Sequence, residues 1–153
     1  MQTQIIIDFI GLFTFIAGLI IGLGAVTVID IHGFIARRSS YWTRATISAH
    51  KVTKPMIWVG TFLVLVGGII FYQDKMLFSI NISSIHLVAV LLLVLNGLFL
   101  SFYVSPYLLK MENESRQEEL LPQSFQNKIA VSLVISDVLW WGTVVLLVVS
   151  LVG

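Results

Sequence analysis

The sequence predicts an all-α, integral-membrane bundle of four helices, and three observations support that prediction. Hydrophobic residues make up 58% of the 153 residues and charged residues only 11%, whereas a soluble domain carries about 25% charged residues. The apolar residues fall in continuous runs and lack the period of a half-buried soluble helix or strand. Four of these runs reach the roughly 20 residues that cross a hydrocarbon core.

Each apolar run predicts one helix, because backbone polar groups inside a membrane must be satisfied within their own segment. The helices predicted in this way span about residues 5–36, 45–72, 83–109 and 127–152 of a single domain, 1–153. Pro55 and Pro106 interrupt the second and third runs, so a kink or a helix start is expected there. Short connections favour an antiparallel, up-down arrangement.

Lysine and arginine residues predict the orientation, since they concentrate on cytoplasmic loops. All nine except Lys75 fall in two stretches, and these eight are Arg37, Arg38, Arg44, Lys51, Lys54, Lys110, Arg116 and Lys128. We therefore expect both stretches to face the cytoplasm and both termini to lie outside, in a bacterial or archaeal cytoplasmic membrane. The net charge of +1 indicates no basic surface for nucleic acid.

Small residues predict where the helices approach each other closely. Gly11, Gly18 and Gly22 share one face of the first helix, and Gly60 and Gly67 share one face of the second. Glycines at this spacing let two helix backbones approach in the bilayer. Packing within the chain is the first interpretation, and a homodimer through these glycine faces is the second.

Polar side chains inside or beside the apolar runs are the candidate functional residues, because ionisable groups at membrane depth are costly and usually face the bundle interior. They are Asp30, His32, His50, Lys51, Lys54, His86, Asn96 and Asp137. At a rise of about 1.5 Å per residue, His32 and His50 lie near one membrane face and His86 near the other. The absence of cysteine excludes disulfides and thiolate metal sites.

These polar residues suggest two functions, and a third function does not depend on them. In the first, His32 and His50, with Asp30 or Asp137, hold copper or heme b, since imidazole suits copper and iron. His86 is then a second candidate ligand, at the outer face. In the second, Asp137, Lys54 and Asn96 line the ion or proton path of a transporter or channel. The third is an accessory membrane subunit.

A simpler interpretation of the same residues is structural. Asp30 or Asp137 would pair with Lys54, or Asp137 with Asn96, and the histidines would be hydrogen-bonded at the membrane interface. No nucleotide-binding loop, zinc-protease motif or serine nucleophile elbow occurs in the chain. A hydrolase is therefore disfavoured, and the question of enzymatic activity is left open.

Segments of the last three helices resemble two related families of small bacterial membrane proteins. Val52–Ile70 passes from a basic segment through a proline into an apolar run that ends in glycine, His86-Leu87 opens the third helix, and Ser136–Leu139 carries an acid in the last helix. The families are the four-helix protoporphyrinogen oxidases of heme synthesis and the copper-resistance D membrane domain. The resemblance implies a four-helix architecture and a heme or copper site.

Three differences from these families concern the site residues. The families have lysine where this chain has His86 and glutamate where it has Asp137, so both residues hold matching positions. The histidine that opens the families' first helix has no counterpart in Ile5–Ile10. What the resemblance implies is therefore the architecture and the kind of cofactor.

Overall fold

The computed structural model describes residues 2–36, 39–73, 82–116 and 119–152. The helices that it contains are α1, Gln2–Ala36; α2, Ser40–Tyr72; α3, Ile82–Asn113; and α4, Gln123–Val152. All four are long and apolar enough to cross a membrane, which confirms the all-α class and the four candidate spans for the described residues. Arg37, Arg38 and Lys75 lie outside them.

The helices extend beyond the apolar runs at one end of the molecule. Helix α2 begins at Ser40 and continues through Pro55 without interruption, and α4 begins at Gln123. A small buried cluster supports these extensions, and its members are Ile47, Val104, Leu108 and Phe125. Hydropathy identifies only the segment that lies inside hydrocarbon. The helix starts predicted from the sequence, residues 45 and 127, are therefore later than the observed starts at Ser40 and Gln123.

Helices α1 and α2 pack backbone against backbone along the predicted glycine faces. A methyl group added at Gly60 would lie 2.5 Å from Gly22 Cα, and one added at Gly18 would lie 2.6 Å from Val64 N. Gly67 meets the backbone of Phe15 in the same way. Only glycine permits this approach, so these faces are used inside the chain. A homodimer stays a prediction.

Helix α3 changes from α to π geometry at Leu100–Val104. The Ser105 N–H donates to the carbonyl of Leu100, five residues back instead of four. Pro106 follows directly and has no N–H to donate, so the disturbance expected at this proline takes the form of a π turn. Such turns are rare and occur frequently at functional sites.

Ion pairs mark the end of the bundle at which α1 and α3 finish, which we call the charged end (Ala36–Lys51 and Glu112–Gln123 in the described ranges). Lys51 Nζ lies 2.7 Å from Glu112 Oε1 and joins α2 to α3. Arg116 binds Glu119 and Glu114. The hydrogen bonds from Arg116 lower the pKa of Glu119, and the same contacts raise the pKa of Arg116. Arg116 and Glu119 lie between α3 and α4, outside the candidate membrane spans, and exposed ion pairs of this kind contribute little to stability.

The glycine contact between α1 and α2 can be tested with Gly60→Ala. We expect this change to lower the free energy of unfolding in detergent by about 1–3 kcal/mol, because the added methyl group meets the Gly22 backbone and overpacking costs that much. Gly142→Ala is the matched control, since nothing lies within 4 Å of a Cβ at that position. Equal stability of the two variants would contradict the contact.

Candidate functional site

A cavity of about 100 Å³ lies between the helices and extends from the charged end towards the middle of the bundle. Thr43 and Gln126 line it near the charged end, and Val26 and Trp140 line its inner end. Most of the lining is apolar. The polar side chains along its wall include Asp30, His50, Lys54, Trp58, Asn96 and Ser101.

The acid in this cavity wall faces a second acid. Asp30 on α1 is only 4% exposed, and its carboxyl lies within hydrogen-bonding reach of the Asp137 carboxyl on α4. Asp30 Oδ2 is buried and has no donor among the described residues. An ionised carboxylate accepts but cannot donate, so the two groups bond to each other only when one of them carries a proton. Without that proton, two like charges would stand in contact.

His50 supplies a second unpartnered atom to the same cavity. Its Nε2 is buried and has no hydrogen-bond partner in the part of the chain that the structure describes. Lys54 follows one turn later on the same face of α2, and its Nζ donates to Ser105 Oγ at 3.2 Å. An unsatisfied buried polar group costs about 1–3 kcal/mol. The cavity therefore offers an acceptor and an imidazole nitrogen to water, a proton or a ligand.

Hydrogen bonds between helices hold the α3 side of the cavity. Trp58 Nε1 donates to Ser101 Oγ at 3.0 Å, and Ser101 lies on the π turn. Asn96 Nδ2 donates to the Ser132 carbonyl at 3.1 Å, and Ser132 Oγ donates back to Asn96 Oδ1 at 2.6 Å. Asn96 thus links α3 to α4. Ser101 was not among the candidate functional residues, because a serine within an apolar run is typical of close helix packing.

The structure divides the predicted metal ligands between separate places. Asp30 and His50 share the cavity, but His32 is not among its lining residues. Nδ1 of His32 donates to the Val28 carbonyl at 2.7 Å, and the ring packs edge-on against Trp42. Within residues 2–36, 39–73, 82–116 and 119–152, no group of three or more His, Cys, Asp or Glu side chains gathers in a metal-binding arrangement. The copper site stays a prediction.

The cavity's size bears on which ligand it can take. Pockets for drug-sized ligands typically measure about 300–1,000 Å³, whereas one water molecule occupies about 30 Å³ of liquid volume. A cavity of about 100 Å³ therefore fits a few water molecules or a small hydrated ion. It is too small for a porphyrin as it stands, so heme binding stays a prediction that this cavity does not support.

His86 belongs to a separate network, at the end of the bundle opposite the charged end, which we call the far end (Tyr72, Ile82–His86 and Ser150). Its side chain is 2% exposed. Nε2 lies 2.9 Å from the Thr143 carbonyl, and Nδ1 lies 2.9 Å from the Tyr72 hydroxyl. A carbonyl only accepts, so Nε2 carries a proton. Both ring nitrogens are engaged, and a metal at His86 would have to displace one of these partners.

The acid pair predicts an unusual response to Asp137→Asn. We expect the free energy of unfolding to rise, by about 1 kcal/mol, because the amide of asparagine supplies the donor that Asp30 lacks and removes a like charge. Chemical unfolding of the purified protein at neutral pH measures this. Asp8→Asn is the control, since Asp8 already accepts a hydrogen bond from Gln4. A marked loss of stability in Asp137→Asn alone would contradict the pairing of the two acids.

Known proteins supply no template for either polar network. Comparison with protein-family models, curated proteins and solved structures finds no match for this chain. The resemblance to the protoporphyrinogen oxidase and copper-resistance D families therefore stays a prediction. The Asp30 cavity and the His86 network are the two buried polar regions of the described residues that bear on function.

Proposed function

We propose that this protein is a small integral-membrane transport protein that binds a proton between Asp30 and Asp137 and carries it through the bundle. The observation that carries the proposal is the approach of these two carboxyls from facing helices, with Asp30 in the wall of the cavity and its Oδ2 without a donor among the described residues. Intramembrane acids that line cavities commonly serve as proton relays or ion ligands. Two carboxyls in contact bind one proton between them far better than either binds it alone.

The remaining polar groups of the cavity suit the same task. A few water molecules in the cavity would connect Asp30 to His50 and to the charged end, since the volume holds about three of them. His50 Nε2 has no hydrogen-bond partner among the described residues, and an imidazole nitrogen can take up and release a proton, so His50 is a suitable partner for proton exchange with water. Lys54 is held by Ser105, so its ammonium group does not neutralise the acid pair directly.

The orientation proposed for this activity is an antiparallel, up-down bundle with both termini outside. Helix contacts support the alternation, because Gly11 lies against Phe71, and Gly22 lies against Gly60. The excess of lysine and arginine at the charged end supports a cytoplasmic location for that end. The cavity would then open towards the cytoplasm of a bacterial or archaeal cell.

A second candidate function is transition-metal binding, and one observation favours it. Asp30 Oδ2 and His50 Nε2 are buried without hydrogen-bond partners in the described part of the chain, and both residues line the same cavity. A carboxylate oxygen and an imidazole nitrogen are common ligands of zinc and copper. The positive charge of Lys54 in the same wall opposes a bound cation, which is why we rank this function second.

Labelling with a hydrophobic carbodiimide tests the shared proton. The reagent reacts with protonated carboxyls, because the acid adds its proton and its oxygen across a C=N bond of the carbodiimide. We expect peptide mass spectrometry to find the adduct on Asp30 or Asp137 at neutral pH in the detergent-solubilised protein. In Asp137→Asn, labelling of Asp30 should fall at least tenfold, because the second acid that holds the proton is gone. Asp8 is the internal control, and unlabelled Asp30 and Asp137 would refute the proposal.

Transport is tested separately in proteoliposomes that contain a pH-sensitive dye. A potassium diffusion potential should drive proton uptake, and Asp137→Asn should abolish it while Asp8→Asn leaves it unchanged. Flux that persists unchanged in Asp137→Asn would contradict transport through the acid pair, even if carbodiimide labels the carboxyls.

Metal binding is tested by titrating the purified protein with copper and zinc and measuring the bound metal by elemental analysis. The second candidate predicts about one ion per chain (one cavity, hence one site) and its loss in His50→Ala. His32→Ala is the matched control, because that side chain does not line the cavity. A preparation that retains no metal would remove this candidate and leave the proton-binding proposal intact.

A further inference from the structure

The hydrogen bonds around His86 form a chain that leads away from the cavity. Tyr72 Oη lies 2.9 Å from His86 Nδ1 and 3.0 Å from Ser150 Oγ. Ser150 is half-buried and stands within the last turn of α4, which ends at Val152. The chain therefore runs from a buried imidazole to the surface of the far end, through two hydroxyl groups that each both donate and accept.

The direction of this chain depends on the protonation state of His86. In the neutral ring, Nε2 donates to Thr143, so Nδ1 accepts from Tyr72, and Tyr72 can accept in turn from Ser150. When Nδ1 carries a proton, it donates to Tyr72, which donates to Ser150, and Ser150 donates to the Leu147 carbonyl at 2.7 Å. In both arrangements the two ring nitrogens of His86 and the hydroxyl of Tyr72 keep their hydrogen bonds. The reversal of a chain of hydroxyls in this way is how a proton passes along hydrogen bonds.

An apolar layer separates this chain from the cavity. Trp140 lines the inner end of the cavity, and Phe15 packs edge-on against His86 with ring centroids 5.0 Å apart. Both belong to one buried cluster with Val64 and Leu93. On α4, Trp140 stands between Asp137 and Thr143, which are about 9 Å apart along the helix axis at 1.5 Å per residue. Two polar regions thus approach the layer from opposite ends.

We propose that Ser150, Tyr72 and His86 form a proton-conducting wire to the far face, with His86 as a second proton-binding station beyond the Trp140–Phe15 layer. A proton from water joins Ser150 Oγ as the Ser150 proton moves to Tyr72 Oη and the Tyr72 proton moves to Nδ1. The products are the imidazolium of His86, an intact hydroxyl group on both Ser150 and Tyr72, and water that has lost one proton. The reverse sequence returns the proton. The inference rests on the proposed transport function and supplies the part of its route between the far face and the apolar layer.

The surroundings of His86 leave few other groups to titrate with it. From α2 it faces Tyr72, from α4 the Thr143 carbonyl, and from α1 the apolar ring of Phe15. The small pocket beside it measures about 20 Å³ and includes Ser83 of its own helix. Among the lining residues of that pocket, Tyr72 is the other titratable side chain. Asp74 and Lys75 lie outside the described residues.

Tyr72→Phe separates a wire from a structural clamp, because it deletes the hydroxyl and keeps the ring. We expect proton uptake by proteoliposomes to fall at least tenfold in this variant, while carbodiimide labelling of Asp30 and Asp137 stays at the wild-type level. Thr53→Val is the matched control, since it also deletes a buried hydroxyl of α2, one that bonds only within its helix, to the Ala49 carbonyl at 3.0 Å. Its flux should equal that of the wild type.

The dependence of proton flux on pH also distinguishes a wire from a purely structural role, because hydrogen bonds that only hold the helices together would not make flux depend on the pH at one face. With the pH set independently on the two faces, wild-type flux should depend on the pH at each face. In His86→Gln, which retains a donor for Thr143, flux should fall as in Tyr72→Phe, and the residual flux should depend on the pH at the charged end and no longer on the pH at the far face. Wild-type flux in Tyr72→Phe, or an unchanged far-face profile in His86→Gln, would overturn the wire. Absence of carbodiimide label in the wild type would instead overturn the proposed function.

Discussion

The close contact of α1 with α2 is the constraint on which the rest of the bundle depends. At Gly60 the backbones of the two helices approach so closely that a Cβ would meet the backbone of Gly22. This contact sets the register between the helices that carry Asp30 and His50, which line one cavity from two different helices. Gly22 also leaves the space that the Trp140 ring fills. One pair of glycines therefore positions both the cavity wall and the apolar layer at its inner end.

Helix α4 determines the spacing between the two polar regions. Asp137 faces Asp30, Trp140 fills the layer, and the Thr143 carbonyl holds His86. These three positions are three residues apart, so they advance along the helix and turn only partly around it. An acid, an aromatic ring and a backbone acceptor can therefore meet different neighbours at successive depths of the same interior. The arrangement requires no loop at membrane depth.

The cavity carries features that do not stabilise the fold. Asp30 Oδ2 and His50 Nε2 are buried without partners among the described residues, and α3 passes through a π turn beside them. In water such defects would be solvated, but inside a membrane each of them has a cost. Natural proteins concentrate such local violations at functional sites, which is consistent with a cavity that takes up a proton from the charged end.

The sequence by itself determined the all-α class, the four candidate spans, the glycine faces of α1 and α2, and the small set of polar residues within the spans. These properties follow from composition and local spacing, which hydrocarbon and backbone geometry constrain strongly. The tertiary structure alone decided that Asp30 meets Asp137 instead of Lys54, that His50 and not His32 lines the cavity, and that Tyr72 connects His86 to Ser150. Such pairings join different helices, and their rotations about their own axes are set by side-chain packing that no single segment encodes.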